Sequence, residues 1–320
     1  MITLSKIAKL ANVSVSTVSK AFSGSKEVND ETREHIFAIA KKNRCFTKYY
    51  NVKYPKLVLA LIAPEFSSMY YSSFITQIQK RITDNNCELC VSATNFSAEN
   101  EKSLVEYYQK HSKVDGIIVI GAKNDIVESY DIPIVFINPQ ANSSTIATVK
   151  ADYSTAISEL ADRIIEAKIT SIGLIGEAYT KPKLDRVVSI FDQKGIKVSG
   201  DYVSVSEKRF EEGGYDAGLK LVQLSKIPQV LICAYDNMAI GAIRALNENG
   251  IRVPQDVSVV GFDNVFQAEY LSPSLTSVSA EVDELTSIAL DVIMKQINGE
   301  ETAQMTVIPS KLYIRESFNI

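Results

Sequence analysis

The chain has 320 residues, 46% of them apolar, 22% charged and 8% aromatic, which excludes a disordered or fibrous protein and leaves room for about two folding units with real cores. The net charge of −4 argues globally against a nucleic-acid binder, because phosphate neutralisation needs a basic surface. That charge is unevenly spread, however: residues 1–56 hold 11 Lys+Arg against 4 Asp+Glu, and the remainder hold 23 against 34.

In chain order, Met1-Ile-Thr-Leu-Ser-Lys has no apolar leader core, and no later run reaches the roughly 18 apolar residues of a spanning helix, so the expectation is a cytoplasmic protein with no membrane partner. Leu4, Ile7, Ala8, Leu10 and Ala11 recur at helical spacing, with Thr3 expected as N-cap. Asn12-Val-Ser14 interrupts, and Val15, Val18, Ala21 and Phe22 resume the period. Two short helices across a three-residue turn follow the helix-turn-helix plan. A third helix is expected from Asn29, with acids in its first turn and Ile36, Ile39 and Ala40 to cover the other two. The polar face of the second helix, Ser14, Ser16, Thr17, Ser19 and Lys20, is short and neutral or cationic, which suits close approach to phosphates and base edges. The same residues would also cap and solvate an ordinary helix pair; the basic balance of the segment favours the nucleic-acid reading.

The run Thr3-Leu-Ser-Lys-Ile-Ala-Lys-Leu-Ala-Asn-Val-Ser-Val-Ser-Thr-Val-Ser-Lys-Ala-Phe-Ser-Gly, with Val28-Asn-Asp-Glu-Thr-Arg after it, resembles the headpiece of the lactose/galactose-repressor family of bacterial transcription regulators. The resemblance implies base-reading residues at Val15 and Ser16, a major-groove contact at Lys20, and phosphate-positioning residues at Leu4, Ser14, Thr17, Ser19 and Thr32. Lys20 replaces the usual arginine and lacks its planar fork, which softens base discrimination. Lys6 stands where the family usually has an aspartate. The linker departs from the family: residues 46–56 lack the Pro-Asn pair and wedge leucine of a hinge helix, although Lys48, Lys53 and Lys56 can reach phosphates and Tyr49, Tyr50 and Tyr54 can pack on the body or stand in for the wedge.

From residue 57 the sequence alternates apolar runs, at 57–63, 89–93, 116–120, 134–137, 171–175, 202–205, 230–233 and 257–261, with amphipathic stretches such as 71–85, 154–167 and 237–249. Buried strands alternating with helices predict doubly wound α/β layers that bind ligand at the carboxyl ends of their strands. Cys87 and Cys90 form a C-x-x-C without a second ligand pair, so a buried structural pair is expected rather than a metal or redox site. The run Ala234-Tyr-Asp-Asn-Met-Ala-Ile-Gly through Val-Gly-Phe-Asp263-Asn, then Leu271-Ser-Pro-Ser-Leu-Thr-Ser-Val and Leu312-Tyr-Ile-Arg-Glu-Ser, is similar to the same family's regulatory body.

The resemblance thus implies an α/β protein: a three-helix helix-turn-helix headpiece (1–45), an atypical short linker (46–56), and a two-lobed, doubly wound body of the type I periplasmic-binding-protein kind (57–320). It further implies a homodimer on an imperfectly palindromic operator, controlled by a sugar or sugar phosphate held in the body. Its effector positions fall on Tyr70, Tyr71, Asn138, Arg186, Tyr235 and Asp263. Arg186 offers a rigid fork of donors to hydroxyls or an anion, Asp263 accepts from a ligand hydroxyl, and the tyrosines stack on a ring, although the aromatics also suit a lobe core and Arg186 a solvated helix face. Asp236 opens a helix and is expected to cap Met238 or Ala239. Phe210 lies near another ring position, one residue out of register. The alternatives are a solute-binding protein, which needs a leader and no head, and an enzyme; His35 and His111 are the two histidines, and no nucleophile elbow, phosphate loop or metal motif is present, so no catalytic residue or cofactor is expected.

Overall fold

The computed structural model describes residues 4–23, 25–43, 56–84, 87–110, 112, 114–124, 132–140, 143 and 145–319. Most of the linker and His111 lie outside the described residues, as does the expected cap Thr3. The elements in chain order are α1 (Leu4–Ala11), α2 (Val15–Phe22), α3 (Asp30–Lys42), β1 (Leu57–Ala63), α4 (Met69–Asp84), β2 (Cys87–Ala93), α5 (Ala98–Lys110), β3 (Gly116–Ile120), β4 (Ile134–Ile137) and β5 (Ala147–Asp152). There follow α6 (Ser154–Glu166), β6 (Ile172–Glu177), α7 (Lys181–Gln193), β7 (Val203–Ser206), α8 (Phe210–Val222), β8 (Val230–Cys233), α9 (Asp236–Glu248), β9 (Ser258–Phe262), β10 (Thr276–Ser279), α10 (Val282–Ile297), β11 (Met305–Pro309) and β12 (Lys311–Tyr313).

The three-helix head closes because each helix turns one apolar stripe inward. Ile7, Ala8, Ala11, Val18, Ala21, Phe22, Val28, Ile36 and Ala40 form one buried cluster, and Phe22 stacks on Phe37 at 5.9 Å. Asn12 ends α1 in the left-handed region at φ +53°, where a short polar side chain is tolerated. Ser14 then caps α2 by accepting from Thr17 N at 2.9 Å, and Asn29 Oδ1 accepts from Thr32 N at 2.7 Å at the start of α3.

The chain divides into two compact units, Met1–Ser67 with Tyr71–Lys150 and Asp283–Val307, and Ser68–Tyr70 with Ala151–Val282 and Ile308–Ile320. The first unit holds a six-stranded sheet in the order β11-β5-β4-β3-β1-β2, parallel from β5 through β2. The second holds β12-β10-β9-β8-β6-β7, parallel except for β12, which runs antiparallel to β10. Strands β3, β4, β8 and β9 are buried at every residue, which is why they read as unbroken apolar runs.

The buried cysteine pair expected at Cys87 and Cys90 is not formed: Cys87 is buried and Cys90 exposed. Both lie on edge strand β2, and a spacing of three on a period-two strand puts the two side chains on opposite faces. Lys56, the one linker lysine within the described residues, pairs with Glu88 at 3.1 Å.

Candidate functional sites

Helix α2 presents its polar face outward. Val15, Ser16 and Ser19 are exposed, Val15 at 45%, which leaves its methyl groups able to meet a base methyl group. Ser14 and Thr17 spend their hydroxyls on each other at 2.8 Å and on the cap, so they fix the entry of α2 as well as facing outward from it. Leu4 is half-buried against the head core, and Thr32 is half-buried in the first turn of α3. Lys20 pairs with Glu27 at 2.5 Å, with side-chain exposures of 45% and 70%.

In the second unit the candidate residues gather at the carboxyl ends of β6, β8 and β9. Asp263 follows β9 in the left-handed region at φ +92° and is almost fully covered. Lys183 on α7 donates to Asp263 Oδ1 at 3.1 Å and to Ala234 O at 2.8 Å, and its ammonium lies 5.1 Å from the ring of Phe262 and 6.0 Å from that of Tyr153. Burial raises the Asp263 carboxyl above its ordinary range, and the ammonium pulls the other way. Lys183 did not emerge from the sequence. A signal was there: α7 opens with Lys181 and Lys183 and has no acid in its first turn, against the preference of the helix dipole. One turn further on, Arg186 donates to Asp152 Oδ1 at 2.7 Å and Ser154 Oγ at 2.6 Å, with half its side chain exposed.

Tyr235 is buried beside this group, and its hydroxyl accepts from Phe210 N at 2.9 Å. Burial pushes the phenol up to about 12, so it stays protonated and keeps a donor. Phe210 stands edge-on to Tyr235 at 6.1 Å, at φ +57°, under the Arg209 guanidinium at 4.6 Å. Glu177, at the end of β6, accepts from Tyr179 N at 2.8 Å.

Asp236 corrects the sequence reading. It does not cap α9; Tyr235 occupies the N-cap position, with no side-chain cap bond. The Asp236 carboxylate is instead wholly buried, with Oδ2 accepting from Val265 N at 2.8 Å and Oδ1 from Ser277 Oγ at 2.7 Å, so it ties the loop after β9 to β10. Burial, and then the charge of Asp263, push it up to about 8.

In the first unit, Tyr71 is half-buried in the first turn of α4 and stands edge-on to Phe96 at 6.2 Å, while Lys123 donates to Phe96 O at 2.7 Å. Tyr70 precedes it, half-buried. Asn138 leaves the end of β4 at φ +46°, an irregular backbone that asparagine accepts, with its N–H on Val149 O at 3.0 Å. Among the described residues no group of three or more His, Cys, Asp or Glu can hold a metal ion, and no helix is long and apolar enough to cross a membrane.

Two family models match the chain: bacterial regulatory proteins of the lacI family over residues 3–44, and a periplasmic binding protein-like domain over residues 161–318. The HTH-type transcriptional repressor PurR of Pasteurella multocida (strain Pm70) is 28% identical over 335 residues, covering 99% of this chain and 98% of that protein. Among solved structures, the transcriptional regulator CelR–cellobiose complex superposes with a TM-score of 0.69 at 23% identity, covering 99% of this chain and all of that one. The lac repressor dimer bound to operator and the anti-inducer ONPF gives 0.71 at 19% identity, covering 99% and 98%.

Proposed function

The chain belongs to the lacI family of bacterial regulatory proteins and is a DNA-binding transcription regulator rather than an enzyme; we propose that it is a homodimeric repressor of carbohydrate-utilisation genes, released from an imperfectly palindromic operator by a sugar or sugar phosphate. In this reading residues 1–45 are the DNA-binding head, 46–56 the linker and 57–320 the effector-binding and dimerising body, and the protein works in the cytoplasm. The lac repressor dimer bound to operator and the CelR–cellobiose complex support the two ligand classes.

The observation that carries the reading is one chain holding both a closed head with Val15, Ser16, Ser19 and Lys20 on its outer face and a doubly wound unit whose strand ends gather Lys183, Arg186, Tyr235 and Asp263. On DNA, α2 lies in the major groove. Val15 meets a thymine methyl and Lys20 a guanine edge, while Leu4 at the start of α1, Ser14, Thr17, Ser19 and Thr32 set the head against phosphates. In the body, Asp263 accepts from a ligand hydroxyl, Arg186 and the Tyr235 hydroxyl donate, Asn138 supplies an amide, and Tyr70 and Tyr71 offer ring faces. Lys183 already fills one lone pair of Asp263, so it fixes the direction from which a hydroxyl can approach. The effector acts by binding more tightly to the operator-incompetent state of the dimer.

A gel shift with a duplex from the gene's upstream region tests the reading, a salt-sensitive, sequence-specific shift being expected. Arg186→Ala should retain that shift and lose about 10- to 100-fold in effector response, the value of a charge-assisted hydrogen-bond pair. Absence of any specific shift overturns the regulator reading, and full effector response in Arg186→Ala moves the effector site elsewhere.

A further inference from the structure

The head carries four acids, Glu27, Asp30, Glu31 and Glu34. Asp30 pairs with Arg33, and with Glu31 it stands in the first turn of α3, where negative charge complements the helix dipole. Glu27 serves no helix. Its carboxylate reaches back across the loop to Lys20, Oε2 to Nζ 2.5 Å, and the ammonium holds the Glu27 carboxyl below its ordinary range by hydrogen bond and by charge.

The loop that carries Glu27 is fixed at both ends, so the backbone holds Glu27 within reach of Lys20 although the pair itself is exposed to solvent. Ser25 N and Ser23 Oγ both donate to Lys20 O, at 3.0 and 3.1 Å. Glu27 N donates to Ser25 Oγ at 3.3 Å. On the far side Arg33, mostly buried on α3, donates to Ser25 O at 2.8 Å and Val28 O at 2.7 Å, and Val28 is part of the head core.

We propose that Glu27 is an intramolecular competitor for the base-reading ammonium of Lys20, and that this competition sets how tightly the head holds its operator. The proposal rests on the reading of the head as a DNA reader. To reach guanine N7 and O6, Lys20 exchanges an anionic partner for two neutral acceptors. Operator affinity is therefore lower than the Lys20 contact alone would give, and Glu27 acts as a positioning residue through Lys20.

The full-length protein is used to select duplexes from a randomised pool. Dissociation constants for the selected duplex are then measured at two salt concentrations for the wild type, Glu27→Gln, Lys20→Met and the double variant. Glu27→Gln should tighten binding about 3-fold per head, about 10-fold for the dimer, in keeping with an exposed ion pair, and should steepen the salt dependence by about one ion per head. In the Lys20→Met background the same change should move affinity less than about 2-fold. Thermal melting of all four proteins checks that none has lost its fold. Unchanged or weaker binding by Glu27→Gln overturns the proposal, as does equal tightening with and without Lys20, which is the signature of general charge. If the wild type enriches no duplex, the DNA reading itself falls and this proposal with it.

Discussion

Asp236 shows how far a residue's role can lie from its local sequence. Its place at the head of α9 makes a cap the natural reading, yet Tyr235 takes the cap position and the carboxylate is fully buried between Val265 and Ser277. A β-carbon on Gly261 would collide with Asp236 Oδ1, so the carboxyl lies against β9 only because residue 261 has no side chain. Its folded value of about 8 lies well above the usual carboxylate range near 4, so the folded state keeps a proton that the unfolded chain releases. Stability from this group is complete below about pH 4 and is lost as pH rises to about 8. The melting temperature should therefore fall between pH 5.5 and 8.5, and Asp236→Asn, which keeps one oxygen to accept from Val265 N and turns an amide N–H toward the Ser277 hydroxyl but cannot ionise, should flatten that slope. An unchanged slope in the variant would assign the pH dependence to other groups. Arg186 and Asp263 are positions that the family resemblance singles out; the contacts of Lys183 and Asp236 are not legible in the sequence, because their partners lie 80 and 41 residues away and only the folded sheet brings them together.

At the scale of elements, α8 and α9 pack backbone against backbone. A β-carbon at Gly214 would lie 2.0 Å from Met238 O, and one at Gly241 would lie 1.9 Å from Glu211 O. Neither clash is with a side chain that can swing away. Gly241→Ala should cost about 2–3 kcal/mol by urea denaturation, the range for overpacking a close contact, whereas Gly200→Ala, with nothing within 4 Å of the new carbon, should stay within about 0.5 kcal/mol. Equal midpoints for the two variants would mean that α9 shifts freely to admit the methyl group. The buried strands were readable to within about two residues because burial on both faces leaves an unbroken apolar run. Strand β5, Ala-Thr-Val-Lys-Ala-Asp, and strand β10, Thr-Ser-Val-Ser, carry no such run and were missed. Their polar residues are satisfied by distant partners: Thr276 N and Ser277 Oγ find Ser317 and Asp236.

For the whole molecule, the split charge defines a mode of binding. Each head brings 11 basic residues against 4 acidic ones counted over residues 1–56, and the rest of the chain has an acidic excess that repels the duplex. If each head of a dimer neutralises at least three phosphates, operator affinity should drop about 10³-fold between roughly 50 and 200 mM salt. A slope equivalent to fewer than about two released ions would mean that the head's charge is not spent on phosphate. The interleaving of the two units has a different kind of consequence, which concerns how the protein is made. The first unit needs α10 and β11 from residues 283–307, where Ile293 packs on Gly116 and so covers β3, and the second needs β12 from residues 311–313. A nascent chain stalled near residue 280 would leave both sheets short of an edge strand with apolar faces bare, and no single stretch of the gene encodes either unit alone.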